Sequence, residues 1–192
     1  MLKPDPAAFA FLAQRRSRPA KLFSGPVPDR DAVTAILTTA MRVPDHGKLE
    51  PWRLIVIGKP AMRRLADLAE ARARAMGGDA EKIAKGRGQY DLGQLAVVVI
   101  SSPKAHDKVP VSEQVSSAAA LCMNLLNAAE AAGWGANWLT GWPAHDADFV
   151  ARAFHCGPGE TVAGIVHFGT PPVDLPDRPR PDPLRVVSWD LA

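Results

Sequence analysis

The segment from Ser112 to Ala132 restricts the folding of this chain more than any other. Read with a period of 3.6 residues, its Ala-rich run with Leu121, Met123, Leu125 and Leu126 carries apolar groups almost all round one long helix. Such a helix needs partners on several sides, so it belongs in the middle of a domain or in an interface. Gly133 supplies its stop. Leu95-Ala96-Val97-Val98-Val99-Ile100 is a continuous apolar run, which predicts a strand buried on both faces. Val162 to Phe168 predicts a second. With 192 residues, 47% hydrophobic and 22% charged, the chain can bury these elements in one sizeable core.

The remaining elements follow from caps and breakers. Asp5-Pro6 predicts a helix start, with an amphipathic helix to about Arg15. Ser17 to Pro28 is loop. Asp29 caps a helix whose apolar positions Ala32, Val33, Ile36, Leu37, Ala40 and Met41 keep helical period, and Val43-Pro44 ends it. Trp52 to Ile57 is a strand bounded by Gly58 and Pro60. A helix from about Ala61 to Met76 follows, then a short one around Ala80–Lys85. Gly135 to Leu139 is a short strand and Asp146 to Phe154 a short helix. Several of the 18 prolines crowd the last 25 residues, where no ordinary helix or strand is expected. The order of elements, without repeats, is that of a single α+β domain.

Composition narrows the function classes. Cys122 and Cys156 are too few for a disulfide framework or a four-cysteine zinc site, which points to a reducing, cytoplasmic setting. No apolar run reaches the roughly 18 residues of a spanning helix, and no secretory h-region is seen, so a membrane partner is not expected. The net charge of +3 comes from scattered cations, whereas nucleic-acid binders concentrate charge on one face. A bound anion explains Arg15-Arg16-Ser17-Arg18, and Arg178 with Arg180, as well as nucleic acid does.

Three patches are candidates for chemistry, and each has a plainer structural reading. Arg15-Arg16-Ser17 suits a phosphate, through charge-assisted bonds; cations at a helix C-terminus also simply complement its dipole. In the Pro44–Trp52 loop, His46 suits a base or a donor; Asp45, Lys48 and Glu50 equally suit a solvated loop. No histidine has a second at ligand spacing, so no metal site is expected. From Gly133 to Trp142, alternating glycines and tryptophans suit either aromatic walls for a flat ligand or tryptophans packed into a core hairpin. The glycines match neither a dinucleotide fingerprint nor a P-loop. Cys122 reads as a small buried hydrophobe, and Cys156 has no evident base.

In order and spacing, these patches resemble the FMN-dependent nitroreductase family, most closely its compact bacterial branch of NAD(P)H nitroreductases. The likeness rests on Arg15-Arg16-Ser17, Met41-Arg42-Val43-Pro44-Asp45-His46 with Pro51-Trp52, Lys108-Val109-Pro110 with Glu113-Gln114, Gly133 to Gly141, and Phe168-Gly169-Thr170-Pro171. It runs from about residue 10 to residue 187.

The resemblance implies a sandwich of helices around a central antiparallel sheet, in an intertwined homodimer with FMN at the subunit interface. It implies that Arg15, Arg16 and Ser17 hold the FMN phosphate and ribityl chain, and that Arg42 and His46 reach the flavin, His46 from the partner subunit. Trp138, Leu139 and Thr140 would line the isoalloxazine. Ala128, Ala129, Glu130, Ala131, Ala132 and Gly133 would form a nicotinamide-nucleotide contact region. Residues 1–192 would be one FMN-binding domain, with 170–192 as a proline-rich C-terminal arm over the neighbouring subunit. The implied activity is flavin-mediated transfer of electrons from NADH or NADPH to a nitroaromatic, quinone or enone acceptor, by ping-pong turnover. No residue is identified as catalytic, since the chemistry would reside at flavin N5. The wider family carries a serine-rich loop with Asn and Gln where this chain has Asp45, His46, Lys48 and Glu50. A flavin- or nucleotide-binding sensor or carrier without turnover is therefore the alternative.

Overall fold

A computed structural model describes residues 3–172 and 175–191; the expected domain and arm also include residues 1, 2, 173, 174 and 192, which lie outside them. Four strands form one antiparallel sheet: β1 (Trp52–Gly58), β2 (Leu95–Ser101), β3 (Gly135–Leu139) and β4 (Thr161–Gly169), in spatial order β1-β2-β4-β3. Each strand pair is antiparallel, with a register shift between Val99 and Ile100 on β2. The helices are α1 (Pro6–Gln14), α2 (Arg30–Ala40), α3 (Lys59–Ala75), α4 (Ala80–Asp91), α5 (Val111–Ala131), α6 (Ala147–Phe154) and the single turn α7 (Pro183–Val186).

The sheet separates two cores. On one face Val97, Val99, Val166, Phe168 and Ala136 meet Leu121, Leu125 and Ala129 of α5, with Val33 and Ile36 of α2 alongside. On the other, Ala96, Val98, Ile100 and Ile165 meet Met62 and Leu65 of α3, Tyr90 of α4, and Phe149 and Phe154 of α6. Every residue of β2 is buried, as its unbroken apolar run predicts. The long helix is covered on one side only: Val111, Val115 and Met123 remain exposed, and α1 buries none of its residues.

Most predicted boundaries lie within a residue or two of the observed ones. The exception is α4, which runs to Asp91 rather than stopping near Lys85. Gly86 and Gly88 lower its propensity, but the Trp142 indole packs so close to Gly86 that a Cβ there would lie 2.7 Å from it. Trp142 also donates to the Lys82 carbonyl at 3.0 Å. Tertiary packing overrides the local preference. At the far edge of the sheet Arg53 of β1 grips Glu160 at 2.9 and 2.8 Å, and its guanidinium holds that carboxyl down at about 2.

The α5 face of the core is the most demanding part to pack. Leu125 is fully buried there, and Leu125→Ala is expected to lower stability by about 3 kcal/mol through lost transfer energy and a residual cavity, read as a lower midpoint of urea unfolding.

Candidate functional site

The loop after α1 wraps the outer edge of β3. The Arg18 amide donates to the Ala136 carbonyl at 3.2 Å, and Asn137 Nδ2 donates to the Arg18 carbonyl at 2.6 Å. The loop thus passes from the end of α5 on one face of the sheet to α4 on the other. On the α5 side, Arg15 Nε lies 3.4 Å and Arg18 Nη1 3.7 Å from the Glu130 carboxylate. Arg16 turns elsewhere, donating to the carbonyl of Pro176 in the C-terminal arm. The adjacent arginines of the motif therefore have different targets. The described part of the arm lies against its own chain's N-terminal segment, since Arg180 also donates to the Ala13 carbonyl at 2.6 Å.

On the α4 side the loop roofs a cavity of about 390 Å³, lined by Pro19, Lys21, Gln89, Asn137, Leu139 and Arg178 among others. Gln89 Nε2 and Asn137 Oδ1 are buried without a hydrogen-bond partner. Orphaned buried polar atoms are rare in folded proteins, and both residues that carry them also line the cavity. Lys21 and Arg178 add positive charge at its rim. Asn137 lies within the Gly133–Trp142 patch and Arg178 is one of the cations that a bound anion explains, whereas Gln89 and Lys21 carry no pattern in the sequence that could have found them.

Strand alternation decides which part of the tryptophan-rich segment faces this cavity. Asn137 and Leu139 share one face. Trp138 lies on the other, packed into the α5 core and against Gly164 so closely that a side chain there would collide with the indole. Trp134 packs in the same core and Trp142 in the opposite one. The tryptophans pack inward, but from a strand and the segments flanking it rather than from a hairpin; of Trp138, Leu139 and Thr140, Leu139 alone lines the cavity and Thr140 is exposed.

The expected nicotinamide-contact region also divides. Ala129 is fully buried in the core, and the Glu130 side chain is 5% exposed and committed to two arginines. Ala128 is half-buried, which leaves Ala131, Ala132 and Gly133 as its exposed members.

Arg42 and His46 form a separate group. The Arg42 carbonyl accepts from Asn124 Nδ2 at 3.3 Å, and His46 Nδ1 pairs with Glu113 Oε2 at 2.7 Å beside the first turn of α5. At 1.5 Å per residue, Glu113 and Glu130 stand about 25 Å apart along the helix. His46 and the Arg15 loop are therefore at opposite ends of α5, too far apart for one small ligand to touch both within a single chain.

The loop holding His46 is strained. Gly47, Lys48 and Glu50 all have positive φ, at 73, 53 and 48°, and non-glycine residues adopt this conformation at a cost. The Asp45 carboxylate accepts from the Leu49 and Glu50 amides at 3.0 and 2.8 Å. Ser117 of α5 clamps both ends, donating to the Pro44 carbonyl at 2.6 Å while accepting from Trp52 Nε1 at 3.2 Å.

Other titratable groups contribute less. His167 is buried between Met62 and Gly93 with both ring nitrogens unpartnered, and burial pushes its imidazole down to about 4. It is neutral at pH 7. Burial pushes the Cys122 thiol up to about 12, which fits its reading as a small hydrophobe; Cys122 and Cys156 are both free. Among the described residues no helix is long and apolar enough to cross a membrane, and no group of three or more His, Cys, Asp or Glu gathers as a metal site.

Residues 12–170 match the family model described as Nitroreductase family. The chain belongs to the nitroreductase family. It is 31% identical over 183 residues to an Escherichia coli K12 protein named "Putative NAD(P)H nitroreductase YdjA", covering 95% of this chain and 98% of that one. A similarly named Haemophilus influenzae protein is 30% identical over 165 residues, covering 85% and 88%. The fold is similar to that of a nitroreductase-like family protein from Bacillus cereus, with TM-score 0.79 at 19% identity and 100% coverage of both chains. It is also similar to a nitroreductase from Desulfovibrio desulfuricans solved in complex with FMN, with TM-score 0.74 at 19% identity and 97% and 98% coverage. The antiparallel sheet flanked by helices is the α+β architecture that the resemblance implied.

The clamp on the strained loop has a measurable consequence. Ser117→Ala removes both bonds, which should cost about 1–2 kcal/mol. Amide exchange should quicken over residues 45–50 while β2 and β4 stay protected.

Proposed function

We propose that this chain is an FMN-dependent oxidoreductase that takes electrons from NADH or NADPH and passes them to a nitroaromatic, quinone or related acceptor by ping-pong turnover. One observation carries the reading: the Arg15–Lys21 loop joins the guanidinium pair of Arg15 and Arg18 to a cavity lined by Gln89 and Asn137, each of which has an unpaired polar atom. This arrangement suits a long ligand with an anionic end and a flat polar ring. FMN is such a ligand, and the structural neighbour solved with FMN favours it, while the bacterial relative's name supports NADH or NADPH as the electron donor.

In this reading Arg15, Arg16 and Ser17 receive the phosphate, which carries between one and two negative charges at neutral pH. Arg178 adds charge from the arm. Gln89 and Asn137 offer a donor and an acceptor to the ring edge, and Leu139 gives it an apolar contact. The bound flavin supplies the hydride chemistry, while the protein supplies position and electrostatics. Arg42 and His46, at the far end of α5, serve the site of a second copy.

That geometry supports a homodimer. The exposed Val115 and Met123 on α5, Phe9 and Leu12 on α1, and Leu184, Trp189 and Leu191 in the arm supply the apolar surface that an obligate interface uses. One domain, ending in an arm from residue 170, would contribute half of each site. Two free cysteines suit the cytoplasm.

The purified protein should be yellow and release about one flavin per chain on denaturation, as expected for a resident cofactor. Arg16→Glu should weaken FMN binding at least tenfold, because a carboxylate would face the phosphate. Colourless protein that cannot be reconstituted with FMN overturns the reading. Rapid mixing with NADH or NADPH should bleach the flavin; a flavin that stays oxidised favours a carrier or sensor. Val115→Arg should dissociate the dimer on gel filtration and release flavin in step, since a charge buried in such an interface is unpaired.

A further inference from the structure

Glu130 is out of place by charge alone. A carboxylate beside an anion site repels the anion it is meant to serve. Yet its side chain is almost wholly buried, and it lies within ion-pair distance of both Arg15 and Arg18. Burial raises the Glu130 carboxyl above its ordinary value despite the two arginines, so the desolvation it suffers outweighs their attraction. A solvated Gln or Ala would avoid that penalty.

The contacts themselves indicate what the burial achieves. Glu130 sits in the last turn of α5, the helix that packs against the sheet, beside the buried Leu126 and Ala129 in sequence. It therefore ties the loop after α1 to a helix held by the core. Long arginine side chains lose much rotamer freedom when they close on a ligand, and a partner that restricts them beforehand lowers that loss.

We propose that Glu130 is the positioning residue of the phosphate-binding loop: its carboxylate holds Arg15 and Arg18, and through them the backbone of Arg16 and Ser17, in the arrangement that receives the anion. Its place in the chain belongs to anion binding and not to contact with a nicotinamide nucleotide. The inference rests on the flavin reading above.

The two possible roles of Glu130 predict effects of opposite sign. If it is only a nearby negative charge, its removal tightens FMN binding. If it positions the arginines, its removal weakens binding. Apoprotein is titrated with FMN and with riboflavin, which shares the ring but lacks the phosphate, by quenching of flavin fluorescence. Glu130→Ala should bind FMN at least tenfold more weakly while riboflavin affinity changes less than twofold. Glu130→Gln, which keeps an oxygen for Arg15 and is the deciding variant if the alanine form does not fold, should fall between wild type and Glu130→Ala. Arg15→Ala with Glu130→Ala should bind no more weakly than Arg15→Ala alone, because the two act as one unit. FMN affinity that is unchanged or higher in either single variant overturns the proposal, as does an equal loss for riboflavin. A wild-type protein that binds riboflavin and FMN equally overturns it too, by removing the phosphate site. A wild type that binds neither overturns the flavin reading itself.

Discussion

The packing of α5 against the sheet governs the rest of the molecule. Leu121, Leu125 and Ala129 press one helical face onto Val97, Val99, Val166 and Phe168, and apolar burial of this extent is the main driving force for the fold. Because alanine at 118 and 129 lets the backbone approach closely, the helix lies flat along the strands. Its length then sets the spacing of everything attached to it. Ser117 and Glu113 hold the His46 loop at one end, and Glu130 holds the arginine loop at the other. Between them Val115 and Met123 leave part of the helix uncovered.

The second constraint is the edge of β3. An unpaired strand edge invites unwanted pairing, and here the Arg18 amide and the Asn137 side chain close it with the loop itself. Covering the edge carries the chain from one face of the sheet to the other, so a single short segment serves both a charged end and a flat cavity. The arginine that points at Glu130 and the one that points at the arm are neighbours in sequence but belong to different sides of this crossing.

Among the described residues, two of the three non-glycine residues with positive φ lie in one loop. There the departures into left-handed backbone at Gly47, Lys48 and Glu50 are compensated by Asp45 and by the Ser117 clamp. Such strain persists only where surrounding bonds over-determine it, and it gathers at functional sites. Here it presents His46 on the surface beside Glu113.

The elements themselves were legible in the amino-acid order, because hydrophobic period and caps are local properties. Asp5, Asp29 and Asp146 each accept an amide hydrogen bond as N-caps, and β2 is buried along its whole length as its composition requires. The family was legible too, from short motifs in fixed order. What sequence could not settle was phase and direction. Alternation on β3 is the same whichever face is inward, and only the sheet's position against α5 sends Trp138 into the core and leaves Asn137 and Leu139 at the cavity. The glycines of α4 argue locally against a helix, and only the Trp142 indole explains why it continues. Glu130 looked like an unremarkable member of a small-residue run; its role appears once the loop folds back on it. Local pattern determined which segments become helix and strand, while long-range packing decided which side chains meet, because those meetings join residues on different elements, such as Gly86 with Trp142 and Arg15 with Glu130.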